Sequence, residues 1–175
     1  PHSQVAPIYT TPAQQKALEM LPALGAFRSG EGRGWRILQW NDDLDAPAVL
    51  AGPAIPLVAE GASVEAIRAA AEGFLARHAD LLRAEPRDLR VLAVTDLGKE
   101  KTAVLFGQFA DLLPVINGRL DLILWRGGVV LIASGLYPGV RVGRLPEIDD
   151  AVAVRAAHVG IPEAPGDGAK EPPRL

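Results

Sequence analysis

Apolar residues recur at helical spacing in one stretch of the chain and at strand spacing in several others. From Val64 to Ala79 they fall at Val64, Ile67, Ala71, Phe74 and Leu75, which predicts an amphipathic helix with one face for burial. Ser63 stands before it as a candidate N-cap, and Glu65 lies in its first turn, where a carboxylate complements the helix dipole. Gly73 inside the helix costs about 1 kcal/mol relative to alanine, so its presence predicts close packing against something flat. Four later runs rich in Val, Ile, Leu and Phe read as strands: Leu89–Thr95, Thr102–Phe109, Gly118–Trp125 and Val129–Ser134. Turn signals separate them at Asp96-Leu97-Gly98-Lys99, at Leu112-Leu113-Pro114 with Asn117-Gly118, and at Arg126-Gly127-Gly128. Short turns make antiparallel neighbours.

The flanking segments are less regular. Residues 1–33 carry prolines at 1, 7, 12 and 22 and read as an irregular arm with a short helical stretch over Ala13–Leu21. Gly34–Trp40 and Ala48–Leu50 surround the turn-prone Asn41-Asp42-Asp43 and predict a small hairpin, after which Gly52-Pro53 and Pro56 break the chain. A last helix is expected over Asp149–Val159, with Ile148, Val152, Ala156 and Val159 on one side and Gly160-Ile161-Pro162 ending it. The expected fold is therefore α+β and cystatin-like: one helix on a curled four-stranded antiparallel sheet, with an N-terminal arm and hairpin. Its parts are the arm at 1–33, the α+β domain at 34–160 and a proline-rich mobile tail at 161–175.

Composition narrows the function more than it names it. The chain has 18 Lys plus Arg against 21 Asp plus Glu, a net charge of −3, and no cysteine. A mildly acidic chain lacks the basic footprint that phosphate binding needs, which argues against nucleic acid. Absent cysteines exclude disulfides, thiol catalysis and Cys-ligated metals. The longest apolar stretches are cut by Asp121 and Arg126, and none reaches the roughly 18 residues of a membrane span. The chain opens at Pro1 without methionine, which reads as a processed or trimmed start.

Catalytic patterns are missing from these residues. His2, His78 and His158 are scattered, with no H-E-x-x-H, and Ser3, Ser29, Ser63 and Ser134 lie outside any G-x-S-x-G. His78 near the end of the main helix reads as a cation complementing the dipole. Gly30-Glu31-Gly32-Arg33-Gly34 and Gly127-Gly128 read as turns, because neither has the setting of a phosphate cradle. Asp42, Asp43 and Asp45 lack the glycine and distal glutamate of an EF-hand and read as a solvated turn. No catalytic residue, cofactor or metal ligand is assigned.

One pattern points outward. Alternation puts Leu120, Leu122 and Leu124 on one side of their strand and Asp121, Ile123 and Trp125 on the other, while Val130 and Ile132 oppose Val129, Leu131 and Ala133. Both faces of this hairpin are largely apolar. A sheet covered by one helix normally has a wet outer face, so Ile123, Trp125, Val129 and Leu131 need a cover: the N-terminal arm, another domain or a partner protein.

The order of these segments, with Phe106, Gln108, Pro114, Val115 and Gly118, resembles the fungalysin/thermolysin propeptide domain of secreted zinc metallopeptidase precursors. The likeness runs over about residues 34 to 160, and Leu112 departs from it where the family carries glycine. The resemblance implies a non-catalytic, secreted or extracytoplasmic prodomain that acts as intramolecular chaperone and inhibitor of a metallopeptidase catalytic domain. The contact surface is then expected on the apolar outer positions of the hairpin, Ile123, Trp125, Val129 and Leu131, with Gln108 and Tyr137 as polar or aromatic contacts. The alternative is a stand-alone cystatin-like protease inhibitor or extracytoplasmic protein-binding module.

Overall fold

Six strands, not four, form the sheet, and every neighbouring pair is antiparallel, in the order β1-β2-β6-β5-β4-β3. The computed structural model describes residues 10–142 and Val152, and divides the chain into two units, Pro1–Val140 and Arg141–Leu175. The architecture below is that of the first unit. The expected helix at 149–159 and the tail at 161–175 lie outside the described residues, apart from the helical Val152.

The strands are β1 (Arg36–Asn41), β2 (Ala46–Pro56), β3 (Leu89–Gly98), β4 (Lys101–Ala110), β5 (Leu113–Trp125) and β6 (Gly128–Ser134). The expected four-stranded curled sheet is thus corrected: the N-terminal hairpin is part of the same sheet, because β2 pairs with β6 as well as β1. The prolines that read as breakers are accommodated by irregularity. Pro53 sits where the β2 register jumps between Ala51 and Ile55, and Pro56 is the strand's last residue, opposite Gly128. A proline that cannot donate to a ladder is tolerated at such places. Gly52 is needed there too, since a Cβ on it would fall 2.4 Å from the buried Trp35 ring.

Helices cover one face only. They are α1 (Pro12–Leu18), α2 (Pro22–Ser29), α3 (Val64–Arg77) and the short α4 (Ala79–Leu82). Ser63 caps α3 as expected, accepting from the Ala66 N–H at 3.2 Å. Ile67, Ala71, Phe74 and Leu75 are buried, whereas Val64 in the first turn stays 48% exposed. The reading of Gly73 is corrected: an added Cβ would meet only the Arg77 side chain, at 3.6 Å, so nothing packs tightly there. Instead Gly73 borders an open cleft with Ala69, Ala76 and Phe106.

Residues 12–29, read as mostly irregular, carry two helices. Pro12 and Pro22 open them at the first helical position, where the missing N–H costs nothing. Leu18, Leu24 and Phe27 join the core beneath α3, so this arm lies on the same side of the sheet as the main helix. It also closes the β1 edge. The Thr10 N–H donates to the Leu38 carbonyl at 3.0 Å, Gln15 donates to the Ile37 carbonyl, and Arg28 donates to the Trp35 carbonyl at 2.7 Å. The opposite edge, β3, is blunted by register shifts at Leu92 and Leu97, a common defence against edge-to-edge pairing.

Two-residue turns join the last four strands. Lys99-Glu100, Asp111-Leu112 and Arg126-Gly127 each have positive φ at both positions, as type I′ hairpins require. The second turn lies earlier than expected, and 113–118 belong to β5, whose register with β4 jumps between Arg119 and Pro114. Leu112 holds φ +77 with its side chain 76% exposed, so it bears the left-handed penalty without packing in return. Leu112→Gly is expected to raise stability by about 1 kcal/mol, read as a higher melting temperature in thermal denaturation.

Candidate functional site

Cross-strand register turns the outer face into two complete rows. One runs Thr95, Ala103, Ile123, Leu131, Ala51, Arg36, and the other runs Ala93, Leu105, Asp121, Ala133, Val49, Gln39. Both are apolar through the middle, where Leu105, Ile123, Leu131 and Val49 are half-buried. Among the described residues of the arm, 10–33, the buried side chains belong to the opposite face. Trp125 ends the face at 43% exposure. The Arg126 guanidinium lies 5.1 Å from the centre of its ring and bonds Glu100 at 2.6 and 2.9 Å. That bond holds the Glu100 carboxyl below its usual range.

Val129 is not on this face. The β5–β6 register skips Val130 between Ile123 and Leu124, and this bulge pairs Val129 with Leu124 in the core, where it is fully buried. Period-2 alternation cannot register an extra residue. Gln108 is also elsewhere. It faces inward next to Phe106, 8% exposed, and its amide grips the Tyr137 backbone: Nε2 donates to the carbonyl at 2.8 Å, and Oε1 accepts from the N–H at 2.9 Å. Gly118 permits this, because a Cβ there would sit 2.9 Å from both Gln108 Oε1 and the Val115 side chain. Gln108 and Tyr137 therefore form a latch that fixes the chain leaving β6.

Of the residues assigned to the contact surface, then, Ile123, Trp125 and Leu131 share the outer face, Val129 and Gln108 lie inside, and Tyr137 lies at the latch. Leu105, Val49 and Ala51 join the face unforeseen. Alternation alone could have placed Leu105; the other two needed the pairing of β2 with β6.

No family model, curated protein or solved structure matches this chain.

A second candidate lies on the helical side. A cleft of about 380 Å³ is lined by Ala23, Phe27, Glu31, Arg77, His78 and Leu81, among others. His78 is wedged between Phe27 and Phe74, with ring centres 4.8 and 4.6 Å away, and its Nε2 lies 2.6 Å from Glu31 Oε1. Burial works to raise the Glu31 carboxyl, but hydrogen bonds from His78 and Arg77, with the Arg77 charge, outweigh it and hold it below the ordinary glutamate value. No serine or cysteine lines the cleft to use such a pair. Its evident work is structural, tying the loop after α2 to the end of α3. Among the described residues no group of His, Asp or Glu is placed to hold a metal ion, and no helix is long and apolar enough to cross a membrane.

Two outcomes are expected. Gln108→Leu leaves both Tyr137 backbone groups unpaired and should cost about 2 kcal/mol in urea denaturation. Glu31 has a folded pKa below its unfolded one, so its contribution is present above about pH 4.3 and is lost as pH falls through the folded value. Glu31→Gln should accordingly flatten the acid limb of the stability–pH profile, and an unchanged limb would show that the pair contributes nothing.

Proposed function

We propose that this protein is a non-catalytic binding module that works through the outer face of its sheet. The observation that carries this is the pair of outer rows, apolar through the middle and half-exposed, on a sheet whose described helices α1 to α4 pack on the other side. An antiparallel sheet covered on one face ordinarily turns polar residues outward. This one keeps Leu105, Ile123, Leu131 and Val49 there. A patch of that kind is the usual mark of a protein contact.

The more specific reading is the prodomain of a secreted thermolysin- or fungalysin-like metallopeptidase, serving as its intramolecular chaperone and inhibitor. Its support is local. Gln108, Val115 and Gly118, which belong to the resemblance, meet beside the Tyr137 latch, and Leu112 adopts a glycine-type backbone conformation where the family has glycine. Six strands in place of four remove the cystatin-like argument, so the fold adds nothing to this reading. The contact surface becomes Ile123, Trp125 and Leu131, with Leu105 and Val49. The competing reading is a stand-alone inhibitor or extracytoplasmic binding module using the same face.

The coding sequence past Leu175 separates the two. An H-E-x-x-H downstream supports the prodomain, and its absence overturns that reading in favour of the free-standing module. Where a protease is encoded, Ile123→Asp with Leu131→Asp should cut the yield of active enzyme roughly tenfold on co-expression, an outer-face contact being what the substitutions remove. The chain's own melting temperature should stay close to that of the unaltered protein. Full maturation with the doubly substituted chain would remove the outer face from the mechanism.

A further inference from the structure

Charge and apolar area are arranged differently on the outer face. Its centre holds one carboxylate, Asp121, gripped by Arg119 through bonds of 2.9 and 3.0 Å. Around that centre stand three more cations. Arg36 ends one row, Arg90 lies beside Gly107 and over the Phe109 ring at 4.3 Å, and Lys101 pairs with Trp125 across β4 and β5. None of the three has an ion-pair partner among the described residues. A chain with net charge −3 thus presents a cationic border around its apolar sheet face.

We infer that the occupant of this face is an amphipathic helix of a partner protein, its apolar stripe flanked by aspartate and glutamate. The inference rests on the binding role proposed above and names the partner's chemistry. A helix satisfies its own backbone hydrogen bonds, so it can lie across a sheet face that has no free ladder groups to offer, and helix on sheet is the ordinary layered solution. Alanines at 51, 103 and 133 beside Ile123 and Leu131 leave the face low enough for such a layer. Flanking carboxylates would meet Arg36, Arg90 and Lys101. A second copy presenting the same face would set cations against cations, which opposes association. An anionic lipid surface shares the charge but favours side chains that project into the interface, and alanines do not.

Of the three tryptophans, Trp35 is fully buried and Trp40 packs half-buried against the core, so the change in signal on occupancy of the outer face comes from Trp125, 43% exposed. The full chain is titrated with a synthetic helical peptide of leucines flanked by glutamates, with its lysine counterpart, and with vesicles of anionic phospholipid, following tryptophan emission and its quenching by acrylamide. The glutamate peptide should bind and shield Trp125, and its affinity should fall roughly tenfold from low to high salt. Arg36→Glu with Arg90→Glu should weaken it by about the same factor and favour the lysine peptide, and Arg36→Ser with Arg90→Ser should give a smaller loss in the same direction. Unchanged circular dichroism and melting temperature establish that these variants fold. Equal binding of both peptides, indifference to charge reversal, or binding of vesicles in place of the peptide would overturn the inference. Ile123→Ser with Leu131→Ser separates the two levels. If it abolishes binding of both peptides and they otherwise bind equally, only the charge assignment fails; if it leaves peptide binding intact, the outer face itself is the wrong surface.

Discussion

A single row of side chains crosses all six strands on the inner face: Val94, Val104, Leu122, Ile132, Leu50 and Ile37. All but Val94 are 0% exposed, and α3 lies over them with Ile67, Ala71, Phe74 and Leu75. Each large aliphatic side chain buried this way contributes about 1.5–3 kcal/mol relative to exposure. The row also fixes register. A slip of one residue in any strand would turn its apolar set outward and break the row, so the pairing of the N-terminal hairpin with β6 is set by the same burial that holds the helix.

The bulges make that row compatible with an awkward chain. In β2 an irregular stretch absorbs Gly52 and Pro53 between Ala51 and Ile55 and still returns Ile55 to the core. In β6 the extra Val130 swings Val129 inward to meet Leu124. In β5 the residues between Pro114 and Arg119 loop out far enough for Gly118 to lie against Gln108, which then holds Tyr137. Each departure from strict alternation adds a buried contact on the inner face. The middle of the outer face stays apolar, with charge at its margins and in the Arg119–Asp121 pair.

That division gives the two faces different physical roles. The inner face supplies stability under a helical layer tied down by the Glu31–His78–Arg77 cluster and by the hydrogen bonds that close the β1 edge. The outer face has a hydrophobic centre and a charged border, the anatomy on which the proposed contact rests. Because the two sets of side chains alternate along the same strands, outer-face substitutions can test the proposed binding while the inner row stays intact.

Much of this was legible in the sequence because it depends on local spacing. The 3.6-residue period of Ile67, Ala71, Phe74 and Leu75 and the Ser63 cap defined α3, and four β-rich runs with intervening turns defined β3 to β6. Alternation over 120–125 also exposed the two-sided apolar character of β5, from which the binding surface was inferred. What local spacing could not reach was any feature decided by a distant partner. The strand identity of 46–56 depends on pairing with β6, more than seventy residues along the chain, and its prolines argue locally against it. The helices of 12–29 gain their stability from core contacts made by Leu18, Leu24 and Phe27. The placements of Val129 and Gln108 turn on one bulge and on the backbone of Tyr137. Periodicity determined which segments had a face to bury. Which face met which partner was decided only when the strands paired, because register and bulges are properties of two strands side by side and leave no trace in the spacing of either one.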